Sequence, residues 1–480
     1  MPFILGTNSI KDTGYNVDNS LRFNTGSSDY LNRSASGSAN VTEATISVWI
    51  KRASIGGDHN LYNGAYQNNN TYYFRAYINS DDQLEIENKD GSTNLLYKTN
   101  RKFRDLSSWY NIVIKLSLTA SGNDRCKVFI NGVQETSFAT QTAMSGDQFF
   151  TGKNNYTVQI GETHAGENDY FNGYMSEFVY VQGTALDPTS FGEFDSDSPT
   201  IWKPIDVSGL TFGANGLYLE FKQSGTSANS SGLGADTSGN DNHMTVNNLT
   251  GVDQSTDTCT NNFSNMNPLD NFYASSTFSE GNLQFVTTNG NYTFNTSTFG
   301  VSSGKWYAEV EFDAVSGGSG AARIGVAGKV STATSNGLGD NTGTAAYMSE
   351  SGQVHFNGSD ASYGDTYATG DVIGIALDVD NSKLYFSKNG TFQNSGDPTS
   401  GATGTGAISI TAVSSTDIGF YFIAVGEFDS TYNYTFKINF GSPPYSISSG
   451  NADANGHGNF EYAVPSGYFA LCSKNLAEHG

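Results

Sequence analysis

Alternation of apolar and polar residues along short segments is the feature that most constrains the fold of this chain. Ile46, Val48 and Ile50 fall on one face of an extended segment, as a strand with one buried face requires. Residues 128–132 and 383–390 each run from alternating residues into an Asn-Gly pair, which favours a tight β-hairpin because both central positions tolerate positive φ. Helical periodicity is almost absent. The sequence therefore predicts an all-β protein.

Length and composition favour two antiparallel β-sandwich domains. A chain of 480 residues exceeds what one hydrophobic core usually supports, so at least two domains of roughly 150–200 residues are expected. Only 15% of the residues are charged, whereas 13% are aromatic and 55 are glycine. The polarity therefore comes from Asn, Ser and Thr, as in strands and turns.

The net charge excludes two classes of partner. With 24 Lys and Arg residues against 47 Asp and Glu residues, the formal net charge is -23. Such a charge repels phosphate backbones and anionic lipid headgroups, so we expect neither nucleic acid nor a membrane surface as a partner. No segment approaches the ~18 consecutive apolar residues that cross a bilayer as a helix.

The cysteines and the first residues bear on the cellular compartment. Cys126, Cys259 and Cys472 are odd in number and far apart, which supports neither a disulfide framework nor a zinc site. Residues 1–6 lack the basic start and the long apolar run of a secretion signal. We expect a chain that is made in a reducing cytoplasm and acts outside a cell after lysis.

Residues 18–186 resemble a laminin-G-like, concanavalin-type jelly roll. The resemblance lies in residues 45–51 as an early core strand, in residues 109–114 and 128–133 as a central hairpin pair, and in residues 171–180 as the closing strand. Such jelly rolls bind glycans, proteins or nothing. The resemblance therefore implies the fold and leaves the ligand open.

Residues 283–446 resemble a SPRY domain, another antiparallel sandwich that is used for binding. The alternation agrees, because residues 372–377 are apolar on both faces, as in a strand at the centre of a sandwich. The segments that carry the resemblance are residues 304–312, 323–326, 370–378 and 436–441.

The rest of the chain divides into an N-terminal arm at residues 1–17, a loop-rich connector at 187–282 and a C-terminal tail at 447–480. Parts of the connector and tail resemble phage tail and virion proteins that carry the same pair of sandwiches. This similarity implies localisation in a virion, other virion proteins as partners, and a homo-oligomer, with a trimer favoured. The segments concerned are residues 217–221, 234–240, 265–270 and 458–472.

Acidic residues at alternate positions are the main candidates for catalysis. Glu309, Glu311 and Asp313 share one face of a predicted strand, as do Glu85 and Glu87, and neighbouring carboxyl groups would lie roughly 6.5–7 Å apart. Jelly-roll glycoside hydrolases use such pairs, but the first of these strands is ordinarily structural in SPRY domains. A G-x-S-x-G sequence at residues 300–304 leads into a predicted strand, whereas serine hydrolases need this motif on a strand-to-helix turn, which an all-β fold lacks. We predict that the protein is not an enzyme.

Calcium is the one cofactor that the sequence supports. Asp236, Asn240 and Asn242 place carboxylate and amide oxygens around a glycine turn, and this hard cation prefers oxygen ligands. The segment lacks the spacing and the final Glu of an EF-hand. The alternative is an Asx-rich turn held by its own side-chain hydrogen bonds.

Two segments combine aromatic and amide residues as a glycan site would, with rings for sugar CH groups and amides for hydroxyls. We expect both segments to form loops, since loops on a rigid sandwich carry most binding sites. The alternative places these rings in the core or in contacts between subunits. The predicted ligand-binding residues are Asp58, His59, Tyr62, Tyr66 and Tyr73 in the first domain, and Tyr347, His355 and Tyr363 in the second.

Three functions fit these observations. The leading one is a phage tail fibre or related appendage that binds host surface glycans, with affinity multiplied by several copies per virion. The second is a capsid decoration protein, and the third is a glycan hydrolase. The sequence shows neither a trimerising coiled coil nor a docking peptide that would separate the first two.

Overall fold

The computed structural model describes residues 14–37, 39–163, 169–317, 321–429 and 431–480. The predicted N-terminal arm therefore lies mostly outside the described residues. The described residues form two compact units, the first ending at Thr260 and the second beginning at Asn261. Nearly all of their regular structure is β-strand in antiparallel sheets. The predicted all-β fold is confirmed.

The first unit contains two eight-stranded sheets and a short hairpin, β14–β15. Its strands are β1 (Ser20–Phe23), β2 (Tyr30–Ser34), β3 (Glu43–Arg52), β4 (His59–Tyr66), β5 (Tyr72–Ile78), β6 (Gln83–Asp90), β7 (Ser92–Lys102), β8 (Tyr110–Ser117), β9 (Cys126–Ile130), β10 (Val133–Gln134), β11 (Phe138–Thr142), β12 (Tyr156–Ile160), β13 (Gly173–Gln182), β14 (Gly192–Phe194), β15 (Trp202–Pro204), β16 (Leu217–Leu219), β17 (Thr245–Asn247) and β18 (Gln254–Ser255). Short 3₁₀ turns lie at Gly122–Arg125, Pro188–Ser190 and Gly251–Asp253. The first sheet has the order β10-β9-β8-β3-β13-β1-β18, with β16 also paired to β13. The second has the order β11-β7-β6-β5-β4-β12-β2-β17.

Alternate residues from both sheets form the main core of the first unit. In β5, Phe74, Ala76 and Ile78 are buried in this core, so the residues between them lie on the opposite face of the sheet. The predicted hairpin turn joins β9 to β10, and both Asn131 and Gly132 have positive φ, at 48° and 76°. Alternation and turn chemistry thus position the sheets as the sequence indicated.

The structure divides the chain inside the predicted connector. Residues 187–260 belong to the first unit, where β16 pairs with β13, β17 with β2 and β18 with β1. Isolated apolar residues among Ser, Asn and Gly show no alternation, so the sequence pattern did not reveal this packing. The residues that anchor the segment in the main core include Leu217, Leu219, Phe221, Leu233, Met244 and Leu249.

The second unit contains a nine-stranded and a six-stranded sheet. Its strands are β19 (Thr277–Ser279), β20 (Gln284–Val286), β21 (Phe294–Thr296), β22 (Lys305–Val315), β23 (Ala322–Ala327), β24 (Thr344–Met348), β25 (Gln353–Phe356), β26 (Ser359–Ser362), β27 (Val372–Asp378), β28 (Lys383–Lys388), β29 (Thr391–Phe392), β30 (Ile408–Ser409), β31 (Phe422–Glu427), β32 (Tyr434–Asn439) and β33 (Phe469–Ala470). Helix α1 spans Ser473–His479, and 3₁₀ turns lie at Glu280–Asn282, Pro398–Thr403 and Val413–Ser415. The larger sheet has the order β19-β20-β32-β22-β27-β28-β29, with β30 paired to β28 and β33 to β22. The smaller has the order β21-β31-β23-β24-β25-β26.

The larger sheet of the second unit is covered on both faces. Strand β27 is buried along its whole length, as its two-sided apolar sequence predicted. The C-terminal tail contributes Phe460 and Tyr468 to a cluster with Tyr307 of β22, and β33 pairs in parallel with β22. No helix among the described residues is long and apolar enough to cross a membrane.

Candidate functional site

The segment predicted as an aromatic loop in the first unit is a pair of strands. Residues 58–73 contain β4 and the start of β5. Tyr62 is fully buried in the main core, where its hydroxyl donates a hydrogen bond to the carbonyl oxygen of Thr151. The expectation of a loop was wrong because Asn60 and Asn63, which made the segment look polar, belong to the strand itself. Tyr62 is therefore a core residue and not a ligand platform.

The other predicted residues of this segment have mixed environments. Tyr66 is partly buried and packs edge-on against Tyr72 and Tyr156. His59 is buried, and its burial together with the charge of Arg52 lowers its pKa to about 3. Asp58 accepts a hydrogen bond from a backbone N–H through its carboxylate. All three side chains therefore have structural contacts.

The aromatic residues predicted for the second unit are also buried. Tyr347 stacks on Phe386 with 5.4 Å between ring centroids, and the Tyr363 hydroxyl accepts a hydrogen bond from the Phe386 N–H. His355 remains partly exposed, with its ring nitrogens 2.5 Å from Asp360 and 2.9 Å from Asp340. The expected aromatic platform is absent because both rings fill the core: Tyr347 lies in a strand that is buried throughout, and Tyr363 packs against the same core.

The second sheet of the first unit carries a continuous row of polar side chains on the face opposite the core. Gln159 lies across from Asn32 on one neighbouring strand and from Asn63 on the other. Asn63 lies across from Arg75, and Arg75 from Glu87. The row therefore crosses β2, β12, β4, β5 and β6, a span of roughly 19 Å at the ~4.8 Å spacing of neighbouring strands.

The rings of Tyr73 and Tyr77 flank this row on β5. They alternate with Arg75, so all three side chains share one face of the strand. We use the term polar face for the set formed by Asn32, Gln159, Asn63, Arg75, Glu87, Tyr73 and Tyr77.

Arg75 and Glu87 form the charged half of the polar face. The Arg75 guanidinium lies 5.5 Å from the ring centroid of Tyr73 and 4.3 Å from that of Tyr77. Its Nε is 3.2 Å from Glu87 Oε2, which also accepts a hydrogen bond of 2.7 Å from the Tyr73 hydroxyl. The Thr93 hydroxyl donates to Glu87 Oε1 at 2.6 Å. These contacts hold one cation, one anion and two rings in fixed positions.

Glu85 lies beside this pair with its own set of donors. Its carboxylate is 3.2 Å from Lys98 Nζ and accepts a hydrogen bond of 3.0 Å from Asn79. Burial alone would raise the pKa of Glu85, but hydrogen bonds from Asn79, Tyr77 and Lys98 lower it below its ordinary value. Glu85 is therefore ionised at neutral pH and is poorly suited to act as a general acid.

Amide groups form the other half of the polar face. Asn63 Nδ2 donates to Gln159 Oε1 at 2.9 Å, and Gln159 Nε2 donates to Glu162 Oε2 at 2.6 Å. Asn60 Nδ2 donates to the Glu162 carbonyl, while Asn60 Oδ1 is buried with no hydrogen-bond partner among the residues that the structure describes. Burial raises the pKa of Glu162. The amides are thus aligned by one another, and Asn60 Oδ1 lies buried beneath them.

Each of the two units contains one match to a protein family. Residues 24–189 match the concanavalin A-like lectin/glucanases superfamily, and residues 305–419 match the SPRY domain family. The chain carries a concanavalin A-like domain followed by a SPRY domain. Both resemblances seen in the sequence are thereby confirmed, and the polar face lies in the concanavalin A-like domain.

Similar solved structures cover single domains. The SPRY domain of human HERC1 is 18% identical, with a TM-score of 0.29, and the match covers 36% of this chain and 96% of that one. A pentraxin from Limulus polyphemus is 18% identical, with a TM-score of 0.25, over 33% of this chain and 78% of that one. The CBM40 of Ruminococcus gnavus IT-sialidase is 17% identical, with a TM-score of 0.23, over 28% and 75%. No curated protein matches the chain.

In the SPRY domain, the carboxylate candidate Glu309 is buried beneath the C-terminal tail. It accepts hydrogen bonds from the backbone N–H groups of Glu461 and Tyr462 at 2.9 and 2.8 Å. The Tyr307 hydroxyl and the Asn439 amide donate to it at 3.2 Å. Burial raises the pKa of Glu309. Its contacts fasten the tail to β22, which is a structural role.

The oxygen cluster proposed for calcium forms a hydrogen-bonded turn in the concanavalin A-like domain. Asp236 accepts hydrogen bonds from the N–H groups of Tyr218, Ser238 and Asn242. The amides of Asn240 and Asn242 both donate to the carbonyl oxygen of Gly216. No cluster of three or more His, Cys, Asp or Glu side chains suited to a metal occurs among the described residues. Calcium binding stays a prediction, and the contacts match the Asx-turn alternative.

Sequence reasoning found only part of the polar face. It named Tyr73 as a ligand residue and Glu87 as a member of an acidic pair, but it missed Arg75, Tyr77, Asn63 and Gln159. A signal was present, because Tyr73, Arg75 and Tyr77 alternate with core residues along β5. The row itself depends on the register between strands that are distant in sequence, which alternation does not supply.

Proposed function

We propose that the protein is a non-catalytic glycan-binding component of a bacteriophage virion, carried as a tail fibre or related appendage. The observation that supports glycan binding is the cross-strand row of the polar face with its flanking tyrosine rings. The phage setting rests on the resemblance of the connector and tail segments to virion proteins.

The polar face offers the groups that a sugar ring requires. Tyr73 and Tyr77, each 5% exposed, present only ring edges, while the partly exposed Arg75 supplies a donor that is fixed by its contact with Glu87. Because buried polar groups are costly to leave unpaired, such a site should select ligands whose hydroxyl groups match it.

The proposal assigns no catalytic step to the polar face. A glycosidase needs one carboxyl group that is protonated near neutral pH and a second that is ionised. The Glu85 pKa is lowered, and Glu87 is bound to Arg75. Both carboxylates therefore serve better as hydrogen-bond acceptors for hydroxyl groups than as proton donors.

Binding by single sites is expected to be weak and to gain strength from assembly. A site with millimolar affinity contributes only about 4 kcal/mol, so several copies on one virion are needed for firm attachment. We expect a homo-oligomer, with a trimer favoured, that contacts other virion proteins. Assembled protein should compete with phage adsorption, and monomeric fragments should compete poorly.

The decisive experiment measures adsorption of the assembled protein to susceptible cells. Arg75→Ala should reduce adsorption at least about 10-fold, because it removes a charge-assisted hydrogen-bond donor and leaves Glu87 unpaired. The matched control is Arg101→Ala, which removes another arginine–glutamate pair of the same domain, with Glu135, at an exposed position. Arg101→Ala should retain the thermal unfolding of the wild type, whereas Arg75→Ala should unfold at a lower temperature, so adsorption is compared at a temperature at which both variants are folded.

Three outcomes would replace the proposal. Equal adsorption by Arg75→Ala and Arg101→Ala would remove the polar face as the binding site. Labelled protein distributed evenly over the capsid, without adsorption to cells, would indicate a capsid decoration protein. Release of reducing sugar from host glycans would identify a hydrolase.

A further inference from the structure

Lys51 and Asp257 form a fully buried pair in the concanavalin A-like domain. Lys51 lies in β3, inside the first sheet, and Asp257 follows β18 near the end of the domain. Lys51 Nζ is 2.8 Å from Asp257 Oδ2, and the two side chains are 0% and 2% exposed. An amine and a carboxyl group are thus held in contact away from water.

The surroundings of this pair are largely aromatic. Trp49, Trp109, Tyr174 and Trp202 form a buried cluster on this side of the sheet, and Lys51 Nζ lies 5.7 Å from the ring centroid of Tyr174. Separated charges are costly in such an environment. Condensation of the amine with the carboxyl group would remove both charges from this environment.

The indole N–H of Trp109 binds the second oxygen of the Asp257 carboxyl group. Trp109 Nε1 donates a hydrogen bond of 3.1 Å to Asp257 Oδ1. This donor polarises the C=O bond and would stabilise negative charge that develops on Oδ1 during attack at the carboxyl carbon. The three side chains are therefore arranged as nucleophile, electrophile and stabilising donor.

We propose that Lys51 and Asp257 condense into an intramolecular isopeptide bond. The neutral Nζ attacks Cγ of the protonated carboxyl, and the C–N bond forms while Oδ1 is held by Trp109. Oδ2 then leaves with two hydrogen atoms as water, and Oδ1 remains as the amide oxygen. The ammonium and carboxylate are converted into one amide and one water molecule, so no oxidant, reductant or other reactant is required.

Enforced proximity supplies the driving force for this reaction. Well-oriented intramolecular groups react as if at effective concentrations of about 10⁵–10⁸ M, and water released from an apolar site is not readily returned. The bond would connect an inner strand of the sheet to the segment just before Thr260. The domain would then resist extension from its C-terminal end, which suits a protein that carries load outside the cell.

Intact mass spectrometry of the full chain in denaturant tests the proposal directly. The protein should be lighter than its sequence by the mass of one water molecule, and a protease digest should contain one branched peptide that joins Lys51 to Asp257. Asp257→Ala should lose no mass. Asp257→Asn should form the same bond and lose the mass of one ammonia molecule instead.

Two controls separate this bond from other losses of water. Lys51→Arg keeps a cation but cannot form the amide, so any loss that persists in this variant comes from another site. The pair of Lys437 and Asp313 in the SPRY domain, at 2.6 Å but partly exposed, should yield no branched peptide. A wild-type mass equal to that of the sequence would overturn the proposal, whatever the variants do.

Discussion

Both domains present two glutamates at alternate positions on a strand face turned away from the main core, but different groups bind them. In the concanavalin A-like domain, Glu87 is held by the side chains of Tyr73, Arg75 and Thr93 from its own sheet. In the SPRY domain, Glu309 is held by backbone N–H groups of the C-terminal tail. The same alternating pattern therefore places one glutamate among side chains of its own sheet and the other under the C-terminal tail. The difference comes from the segment that packs on the face.

The largest expected effect distinguishes a fully buried ring of the core from a partly exposed ring at the end of a strand. Tyr62→Ala should destabilise the concanavalin A-like domain by about 3–5 kcal/mol, because it leaves a cavity in the core. Tyr72→Ala, at a ring that is 38% exposed, is the matched control and should change stability much less. Chemical denaturation of the full chain measures both. A folded Tyr62→Ala protein that has lost only adsorption would place this ring in the ligand site instead.

A second variant tests the covered face of the SPRY domain. Glu309→Gln should lower the stability of this domain by about 1–3 kcal/mol, because an amide group then meets backbone donors that need an acceptor. Glu311→Gln, two residues along β22 and half-buried, is the control and should have little effect. Thermal unfolding of the full chain reports the change. Unchanged stability in Glu309→Gln would mean that the tail is not fastened through this carboxylate.

The polar face should respond through binding as well as through stability, because Glu87 is only 8% exposed. Glu87→Gln should weaken adsorption about 10-fold, a free-energy loss of about 1.4 kcal/mol, because the amide replaces one acceptor oxygen with a donor. Because Glu87 is buried and accepts hydrogen bonds from Tyr73 and Thr93, the variant should also lose up to about 1–3 kcal/mol of stability, so adsorption is measured where it is fully folded. A titration of adsorption against protein concentration gives the ratio. Loss of folding in this variant would show that Glu87 is as structural as Glu309.

The pH dependence of stability should differ for a buried carboxyl group that accepts few hydrogen bonds, in contrast to Glu87 and Glu309. Glu427 of the SPRY domain is buried and accepts a hydrogen bond from the Asp429 N–H, while its Oε1 has no partner among the described residues. Burial raises the pKa of Glu427 from 4.5 to about 8. The pKa of Glu427 is higher in the folded protein than in the unfolded chain. The contribution of this group to the free energy of unfolding is therefore fully present at low pH and is lost as the pH rises from 4.5 to 8.

The variant Glu427→Gln has no ionisable group at this position, so it should not show the loss of stability with rising pH. The difference in stability between variant and wild type should change by at most about 1.4 kcal/mol per pH unit over that range. Unfolding midpoints measured between about pH 5 and pH 8 provide the comparison. Parallel curves for the two proteins would show that Glu427 does not titrate in this window.

Much of the fold follows from local sequence because strands and hairpins depend on neighbours. Alternation located β3 and β28, and the Asn-Gly pairs located the turns at Asn131 and Asn389, both with φ of 48°. The segment 187–260 was misread because its few anchoring residues pack against strands far away in the sequence. Local patterns carry no information about such distant partners.

The candidate site was harder to predict for a related reason. Tyr62 and Tyr73 occur in the same tyrosine- and asparagine-rich stretch, yet one lies in the core and the other on the polar face. A bulge in the pairing between Asn60 and Tyr62 shifts the alternation of β4 by one residue. A one-residue shift exchanges the two faces of a strand, and it becomes visible only when the partner strand is known.

The tail contacts of Glu309 also set the timing of folding during synthesis. Strand β32, which pairs with β22, ends at Asn439, and the first backbone donor, Glu461, follows 22 residues later, a delay on the order of 1–4 s at ribosomal rates. During this interval the nascent SPRY domain would hold the Glu309 carboxylate on an uncovered sheet. Chains that terminate before Glu461 should therefore depend on chaperones and aggregate when these are scarce.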